Sequence, residues 1–209
     1  MPDRYKTILL FGAPGAGKGT QGKILGKIPG FFHLACGDVF RSLDINSELG
    51  KDFLKYSSKG ELVPDELTIE MWSKNVHAQT VLSLFKPASD LLILDGIPRN
   101  LNQAKAMDAY LDVLLVIHLV CPNMDDMVLR MKRRALKENR LDDADESVIR
   151  HRFDVYAEET QPVLGHYDAG IVREIDALGS PAKVLQHVLE VLVPVQDEHF
   201  RNPLGGTRG

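Results

Sequence analysis

The chain has 209 residues, a formal net charge of −4, and a composition that is 44% hydrophobic and 26% charged. This composition is typical of a globular protein and excludes disordered and fibrous classes. The small negative charge gives no reason to expect binding to nucleic acid. No apolar stretch is long enough to span a membrane. Cys36 and Cys121 form no CxxC pair, so we expect reduced thiols in a cytoplasmic protein rather than zinc ligands.

Short apolar runs alternate along the chain with longer segments of helical period. Five runs are predicted to be buried parallel strands, namely 5–11, 32–35, 91–94, 113–120 and 171–175. Six segments are predicted to be helices, namely 18–27, 64–77, 100–110, 125–134, 147–167 and 181–191. The alternation predicts an α/β fold, a doubly wound parallel sheet of about five strands, in which ligands bind beyond the carboxyl ends of the strands.

The first predicted strand leads directly into a glycine-rich turn, Gly12-Ala13-Pro14-Gly15-Ala16-Gly17-Lys18-Gly19-Thr20-Gln21. Residues 12–18 are called the phosphate loop below, because glycines let successive backbone N–H groups point at one anion and the following helix adds positive potential. Lys18 can then reach the outer phosphates of a nucleotide. The usual pattern has Ser or Thr directly after the lysine, whereas here Gly19 precedes Thr20. The strand–turn–helix context favours this interpretation over an ordinary glycine turn.

Two further strand ends each carry a glycine and then an arginine near the start of a helix. Gly37 and Arg41 follow the second predicted strand, and Gly96 and Arg99 follow the third. Two guanidinium groups that converge from different strand ends suit a phosphate dianion, since each can donate two hydrogen bonds and keeps its charge. The sequence therefore predicts a second phosphate site beside the phosphate loop.

Three segments do not fit the strand–helix alternation. Residues 37–63 have helical character and are predicted to form a small flap over the site. Residues 134–143 are charged and poor in apolar side chains, and we predict a surface loop there. Residues 194–209 contain many prolines and glycines and few apolar groups, so we predict a flexible tail after a single domain over 1–193.

Basic side chains are concentrated between residues 129 and 152. They are Arg130, Lys132, Arg133, Arg134, Lys137, Arg140, Arg150 and Arg152. A run of charge is usually a solvated helix face. Here a functional reason is available, because phosphoryl transfer between two nucleotides concentrates negative charge that the protein must neutralise.

The motifs together resemble those of the adenylate kinase family of nucleoside monophosphate kinases. They are 12–21, Gly37-Asp38 with Arg41, Gly60-Glu61-Leu62-Val63-Pro64-Asp65, 95–99 with Gln103, and Arg140-Leu141-Asp142-Asp143. They occur in the order of that family and cover about residues 5–192. The resemblance implies a P-loop fold with a nucleotide-binding flap over 37–63, a short lid over 134–143, and the reaction ATP + AMP ⇌ 2 ADP with Mg²⁺.

The same resemblance implies a role for each matching residue. On the ATP side the residues are Gly15, Ala16, Gly17, Lys18, Gly19, Thr20, Arg130 and Gly179. On the AMP side they are Cys36, Gly37, Arg41, Glu61, Leu62, Val63, Gly96, Ile97, Pro98, Arg99, Gln103, Arg140 and Arg152. The residues implied to act in catalysis are Lys18, Arg99, Arg134, Arg140 and Arg152. Gln103 would contact the adenine edge, and Asp38 and Asp95 would order water around Mg²⁺ without binding the metal directly.

Some residue assignments stay open on the sequence alone. Arg133 could exchange roles with Arg134, and Arg150 is the alternative to Arg152, which keeps the four-residue spacing of the family to Tyr156. Asp38 and Asp95 could instead be helix N-caps. We interpret Asp142 and Asp143 as carboxylates that hold the nearby arginines in place.

The acceptor nucleotide also stays open. Cys36 stands where adenylate kinases usually carry Thr and where pyrimidine-selecting relatives usually carry Ala, so a UMP/CMP kinase is the nearest alternative. A nucleotide-binding regulator without catalysis is the second alternative. The lid segment contains no cysteine, so we expect no structural zinc. Expected partners are therefore ATP, AMP and ADP, bound by a monomer.

Overall fold

The computed structural model describes residues 4–44, 46–138, 143 and 145–200. Its elements in chain order are β1 (Tyr5–Gly12), α1 (Lys18–Leu25), β2 (Phe31–Ala35), α2 (Cys36–Arg41), α3 (Glu48–Ser57), α4 (Asp65–Val81), β3 (Leu91–Asp95), α5 (Leu101–Met107), β4 (Leu111–Val120), α6 (Met124–Glu138), α7 (Glu146–Val155), β5 (Val172–Asp176) and α8 (Pro181–His199). Between α7 and β5 lie a π-helical turn (Tyr156–Thr160) and two 3₁₀ turns (Gln161–His166 and Ala169–Ile171). Within these ranges, no helix combines the length and the apolar character that crossing a membrane requires.

The five strands form one parallel sheet in the order β2-β3-β1-β4-β5. β1 is central and pairs with β3 on one side and with β4 on the other. The carboxyl ends of all the strands therefore meet at one edge of the sheet, and the phosphate loop follows the central strand at that edge. The chain connects β1 to strands on both of its sides, and ligands of such sheets bind at this switch point. The predicted α/β fold with a parallel sheet is confirmed.

Side chains that alternate along β1 belong to two separate hydrophobic clusters. Leu9 and Phe11 pack in one cluster with Trp72, whereas Ile8 and Leu10 pack in the other. Both faces of the sheet are covered, because successive strand residues point to opposite faces. Each such side chain contributes about 1.5–3 kcal/mol when it is fully buried. The phosphate loop is thus attached to a rigidly packed strand.

The segment 37–63 contains most of α2 and all of α3, which confirms its predicted helical character. Ser47 begins α3 as its N-cap, where its hydroxyl accepts a hydrogen bond from the backbone N–H of Gly50 at 3.0 Å. α2 lies at the carboxyl edge of the sheet, because it starts directly after β2, and α3 packs against α2 through the stacked rings of Phe40 and Phe53.

The C-terminal helix is longer than the sequence predicts. α8 ends at His199, so the prediction of a flexible tail is wrong for 194–199. Gln196 gives the physical reason, because its Nε2 donates a hydrogen bond to the carbonyl oxygen of Pro29 at 2.9 Å. The end of the helix is thereby fixed to the turn that precedes β2. Residues 201–209 lie outside the described part of the chain.

α6 is also longer than predicted. It continues to Glu138, so the predicted surface loop over 134–143 is wrong for 134–138. Met131 is completely buried on one face of α6, while charged side chains occupy the opposite face, which is the ordinary pattern of an amphipathic helix. The remaining lid residues 139–142 lie outside the described part of the chain.

The helix predicted over 147–167 is interrupted after Val155. A π-helical turn and a 3₁₀ turn replace its second half. Pro162 explains the interruption, because proline has no N–H to donate and its ring clashes with the carbonyl group four residues earlier. A wide π turn followed by a tighter 3₁₀ turn accommodates the proline without breaking the chain direction.

Candidate active site

A cavity of about 630 Å³, called the main cavity, opens at the carboxyl edge of the sheet. It extends from the phosphate loop to α6, α7 and the first turn of α8. A smaller cavity of about 60 Å³, called the side cavity, lies between α2, α3 and α5. Arg41, Arg99 and Arg152 line both cavities. The site therefore has two adjoining compartments with cationic side chains where they meet.

Most of the residues predicted for the site line one of these cavities. On the main cavity they are Gly15, Ala16, Gly17, Lys18, Gly19, Thr20, Gly37, Asp38, Arg41, Leu62, Asp95, Gly96, Pro98, Arg99, Arg130, Arg134, Arg152 and Gly179. On the side cavity the additional ones are Cys36, Glu61, Val63 and Gln103. Ile97 is 2% exposed and packs in the hydrophobic core, so its side chain faces neither cavity. Arg140 lies outside the described residues.

The phosphate loop is packed tightly between β4 and α6. A Cβ atom on Gly12 would lie 2.6 Å from the carbonyl oxygen of Leu119, and one on Gly15 would lie 3.0 Å from that of Met127. The φ angles of the two glycines are 147° and 84°, a region that residues with side chains rarely adopt. Larger residues at these two positions would displace the loop, so the glycines are required sterically.

Lys18 turns its ammonium group inward, although the residue as a whole is only part-buried. Its Nζ donates hydrogen bonds to two carbonyl oxygens of the phosphate loop, at 2.5 and 3.2 Å. Burial lowers the pKa of Lys18 to about 8, and Asp95 opposes this shift. Three guanidinium groups lower the pKa further, those of Arg99, Arg134 and Arg152. Cationic groups from different elements thus converge at one point, as a polyphosphate ligand requires.

Arg99 is held at the carboxyl end of β3 by its neighbours. Its backbone N–H donates to Oε1 of Gln103 at 2.8 Å, and its Nε donates to the carbonyl oxygen of Gly96 at 2.9 Å. Arg41 on α2 pairs with Asp38 at 2.7 Å. Two arginines from different strand ends therefore approach the boundary of the two cavities, as their spacing in the sequence predicts.

Asp143 is completely buried and joins two arginines of the main cavity. Its carboxylate accepts hydrogen bonds from Nε of Arg134 at 2.7 Å and from Nη1 of Arg152 at 2.5 Å. Arg150 pairs instead with Glu146 at 2.8 Å and does not line either cavity. The structure therefore favours Arg152 over Arg150, and it agrees with the interpretation of Asp143 as a carboxylate that holds arginines.

Arg130 and Gly179 lie at the end of the main cavity that is formed by α6 and α8. Nη1 of Arg130 donates a hydrogen bond to the carbonyl oxygen of Ala177 at 3.3 Å. A planar guanidinium group can lie against a flat ring there, while nearby backbone groups reach the edge of the ring. Arg133 and Arg134 both line the cavity between this end and the phosphate loop, so both alternatives for the phosphate contact lie at the site.

The side cavity combines apolar rings with one fixed amide. The rings of Phe40 and Phe53 stack with centroids 5.1 Å apart. Gln103 is 1% exposed, and its Nε2 donates to Oδ1 of Asp65 at 2.8 Å. Burial raises the pKa of Cys36 to about 11, so its thiol is neutral. The stacked rings give the cavity a flat apolar wall, and the amide still offers a second N–H and an oxygen lone pair.

Sequence reasoning did not identify Phe40, Phe53 or Asp65 as site residues. The two rings lie in the predicted flap, but their stacking joins two helices and leaves no local pattern. Asp65 belongs to the motif 60–65, where a carboxylate at a helix start is easily interpreted as a favourable first-turn charge. Its contact with Gln103 depends on the packing of α4 against α5, which the spacing of residues does not reveal.

Asp38 and Asp95 both line the main cavity. Oδ2 of Asp95 lies 3.5 Å from the position of a Cβ on Gly19, close to the start of α1. The N-cap alternative for the two carboxylates is wrong, because Ala35 and Asn100 occupy the N-cap positions of α2 and α5. Among the described residues, no group of three or more His, Cys, Asp or Glu could hold a metal ion. Carboxylates on a cavity wall can accept hydrogen bonds from water bound to Mg²⁺, an ion that usually keeps several water ligands and takes others from phosphate.

Comparison with known proteins gives one consistent family. The family model described as "Adenylate kinase" matches residues 10–172. An adenylate kinase of Kocuria rhizophila is 38% identical over 191 residues, which is 88% of this chain and 97% of the relative. Adenylate kinases of Thermobifida fusca and Thermus thermophilus are 37% and 35% identical, over 88% and 91% of this chain and 97% and 98% of the relatives. The chain therefore belongs to the adenylate kinase family, whose motifs are the ones gathered around its main cavity.

Proposed function

We propose that this protein transfers the terminal phosphoryl group of ATP to AMP and so forms two ADP. Family membership supports a phosphotransferase that acts on nucleoside monophosphates. The observation that carries the residue assignment is that Lys18 lines the main cavity together with Arg99, Arg134 and Arg152, and that Arg99 and Arg152 also line the side cavity. In this proposal ATP occupies the main cavity, with its phosphates on the phosphate loop and its base near Arg130, and the base of AMP occupies the side cavity.

The proposed chemistry needs charge and alignment more than proton transfer. The attacking group is a phosphate oxygen of AMP, which is already an anion, so no general base is required. Arg41 and Arg99 would hold that phosphate, while Lys18 would bind the outer phosphates of ATP. Arg134 and Arg152 would neutralise the charge that spreads over the transferred group. Their orientation is maintained before substrate arrives by the hydrogen bonds that both donate to Asp143.

Water must be kept out, because it could accept the phosphoryl group in place of AMP. We propose that the flap 37–63 and the lid 134–143 close over the two nucleotides; lids of adenylate kinases are a standard example of such closure. Gly60 at the end of the flap already lies against α7, since a Cβ on it would stand 2.9 Å from Cγ of Arg152. This contact supports the proposal that the flap packs against α7, the helix that carries Arg152.

Mg²⁺ is proposed to accompany ATP, with Asp38 and Asp95 as acceptors for its water ligands. Both carboxylates line the main cavity, and the described residues offer no cluster of direct ligands. When bound, the ion neutralises phosphate charge and helps to align the phosphates. The contribution of the chain is to present the two carboxylates on the wall of the main cavity.

We also propose that the protein acts as a monomer in the cytoplasm. The cationic groups around Lys18, namely Arg99, Arg134 and Arg152, belong to the same chain as the phosphate loop. Both cysteines are free thiols, as is usual in a reducing compartment.

The test of the proposed function is an acceptor panel. With ATP as donor, kcat/KM is measured for AMP, UMP, CMP and GMP in a coupled assay that detects ADP. We expect AMP to have the highest kcat/KM, because the amide of Gln103 offers a donor and an acceptor to the adenine edge. A preference for UMP or CMP would support the pyrimidine kinase instead. Nucleotide binding without transfer to any acceptor would support a non-catalytic regulator.

Cys36→Thr is expected to lower KM for AMP by roughly two- to tenfold. The buried thiol is a weak hydrogen-bond donor, whereas the Thr hydroxyl supplies a bond worth ~0.5–1.5 kcal/mol. Cys36→Val is the matched control, because Val has the shape of Thr without the hydroxyl. Equal KM values for AMP in the Thr and Val variants would show that no such bond forms.

Arg99→Ala and Arg130→Ala are expected to affect different substrates. Loss of a charge-assisted hydrogen bond costs about 1.5–3 kcal/mol, so Arg99→Ala should raise KM for AMP roughly tenfold or more and change KM for ATP little. Arg130→Ala should do the reverse, because it lies at the end of the main cavity proposed for the ATP base. Arg150→Ala is the control, since Arg150 is on α7 but does not line either cavity. Equal losses of both substrates in either variant would mean that the two sites are placed incorrectly.

A further inference from the structure

α7 and the π-helical turn that follows it together bring three side chains to the main cavity. Arg152, Tyr156 and Thr160 line it, and they follow one another at intervals of four residues. In a regular α-helix, residues four apart drift by about 40° around the axis, because one turn takes about 3.6 residues. A π turn closes its hydrogen bond over five residues and so reduces this drift. Thr160 therefore stays on the face of the segment that carries Arg152.

Thr160 makes a long-range contact with Arg99, the arginine that is proposed to hold the phosphate of AMP. Its Oγ1 donates a hydrogen bond to the backbone carbonyl oxygen of Arg99 at 2.7 Å, across 61 residues of sequence. The backbone N–H of Arg99 donates to Gln103, as described above. The backbone of Arg99 is thus held on both sides, through its N–H by α5 and through its carbonyl by the π turn.

We propose that Thr160 is a positioning residue for the acceptor phosphate site, and that it acts through the carbonyl of Arg99 rather than by touching substrate. The inference rests on the proposed function of Arg99. Because Thr160 and Arg152 belong to one helical segment, the hydroxyl fixes the position of Arg99 relative to Arg152. Those two guanidinium groups must bind neighbouring phosphates at the boundary of the cavities, so their spacing matters for AMP binding.

The test compares Thr160→Val, which removes the hydroxyl and keeps the shape, with Thr160→Ser, which keeps the hydroxyl. Thr160→Val is expected to raise KM for AMP about fivefold and to leave KM for ATP within about twofold, and Thr160→Ser is expected to restore KM for AMP. The control is Thr80→Val, which removes a similar bond from a Thr hydroxyl to the carbonyl of Val76 at 2.9 Å in α4. Thr80→Val should leave both KM values unchanged. Equal increases of both KM values in Thr160→Val, or no rescue by Ser, would overturn the proposal.

A double-mutant cycle tests whether the effect passes through Arg99. Thr160→Val should add nothing to KM for the acceptor in an Arg99→Ala background. If Thr160→Val raises KM for the acceptor as much in the Arg99→Ala background as in the wild type, the proposal is overturned. It is also overturned if Thr160→Val raises this KM while Arg99→Ala alone leaves it unchanged. The cycle is measured with whichever acceptor the panel identifies. Failure of AMP as the preferred acceptor would therefore contradict the proposed function while the cycle still decides the role of Thr160.

Discussion

Lys18→Met is expected to lower kcat by roughly a hundred- to a thousandfold. Removing one hydrogen-bond donor from an oxyanion hole costs about 2.7–4 kcal/mol of transition-state stabilisation. We expect a similar cost when the charge of Lys18 is removed from the phosphate oxygens. Lys74→Met is the matched control, because Lys74 is an exposed lysine on α4 that pairs with Glu70 on the surface. It should keep full activity. A Lys18→Met protein with more than about a tenth of wild-type turnover would contradict the phosphate-loop assignment.

The stability of the same variant is expected to be close to that of the wild type. Burial lowers the pKa of Lys18 from 10.5 to about 8. Between these values the unfolded chain carries a proton on Lys18 that the folded protein lacks, so the contribution of Lys18 to stability rises with pH in this window. At neutral pH the charged side chain is therefore less favourable in the folded protein than a neutral one would be. Met removes this cost but also loses the two hydrogen bonds to the loop carbonyls, so we expect the two effects to offset each other. Thermal unfolding at pH 7 thus separates lost catalysis from lost folding.

The pH profile of the wild type provides a second measurement on Lys18. Phosphates bind the charged ammonium group, so kcat/KM for ATP is expected to fall as pH rises above about 8, where the free protein loses this charge. The Lys18→Met profile should lack that decrease. A wild-type profile that stays flat to pH 10 would show that the ammonium group does not titrate where its burial predicts.

Asp143→Ala is expected to reduce both stability and activity. Asp143 is 0% exposed, and removing one partner from a buried ion pair costs about 3–5 kcal/mol. For a chain of this length that corresponds to a decrease in Tm of roughly 10 °C. We expect kcat to fall at least about tenfold in addition, since Arg134 and Arg152 lose the carboxylate that orients them.

Two variants separate the role of Asp143 from general surface effects. Glu146→Ala removes an exposed carboxylate that pairs with Lys132 and Arg150, and such pairs contribute only about 0–1 kcal/mol, so its Tm should change little. Asp143→Asn keeps the shape and one oxygen acceptor, and it should lie between wild type and Asp143→Ala. A Tm for Asp143→Ala within about 2 °C of the wild type would contradict the view that this carboxylate is a structural link.

The fold and the phosphate loop could be predicted because their signals are local. The apolar run before Gly12, the glycines of the loop and Lys18 are consecutive in the sequence, and each has one physical purpose. The arginines after β2 and β3 were also predictable, because carboxyl ends of parallel strands always meet at one edge. The family comparison supports the same conclusion independently.

The features of the fold and the site that could not be predicted depend on contacts between residues that are distant in the sequence. Thr160 reaches Arg99 because a π turn changes the phase of its helix. Pro162 signals a break in that helix, but the sequence does not show that the break begins with a π turn. The helical extension of α8 depends on the contact of Gln196 with Pro29, which lies far away in sequence. Composition shows that residues 194–199 contain few apolar groups. It could not show which polar groups find partners after folding.

The attachment of α8 to Pro29 has a practical consequence for handling the protein. The turn at Pro29 and Gly30 precedes β2, so it lies at the amino edge of the sheet, where Gly30 accepts a hydrogen bond from the first residue of β3. The two nucleotide cavities open at the opposite edge. A linker attached after residue 200 therefore leaves the molecule on the side away from both cavities. Immobilised through such a linker on a sensor surface, the protein would present its cavities to the flowing solution.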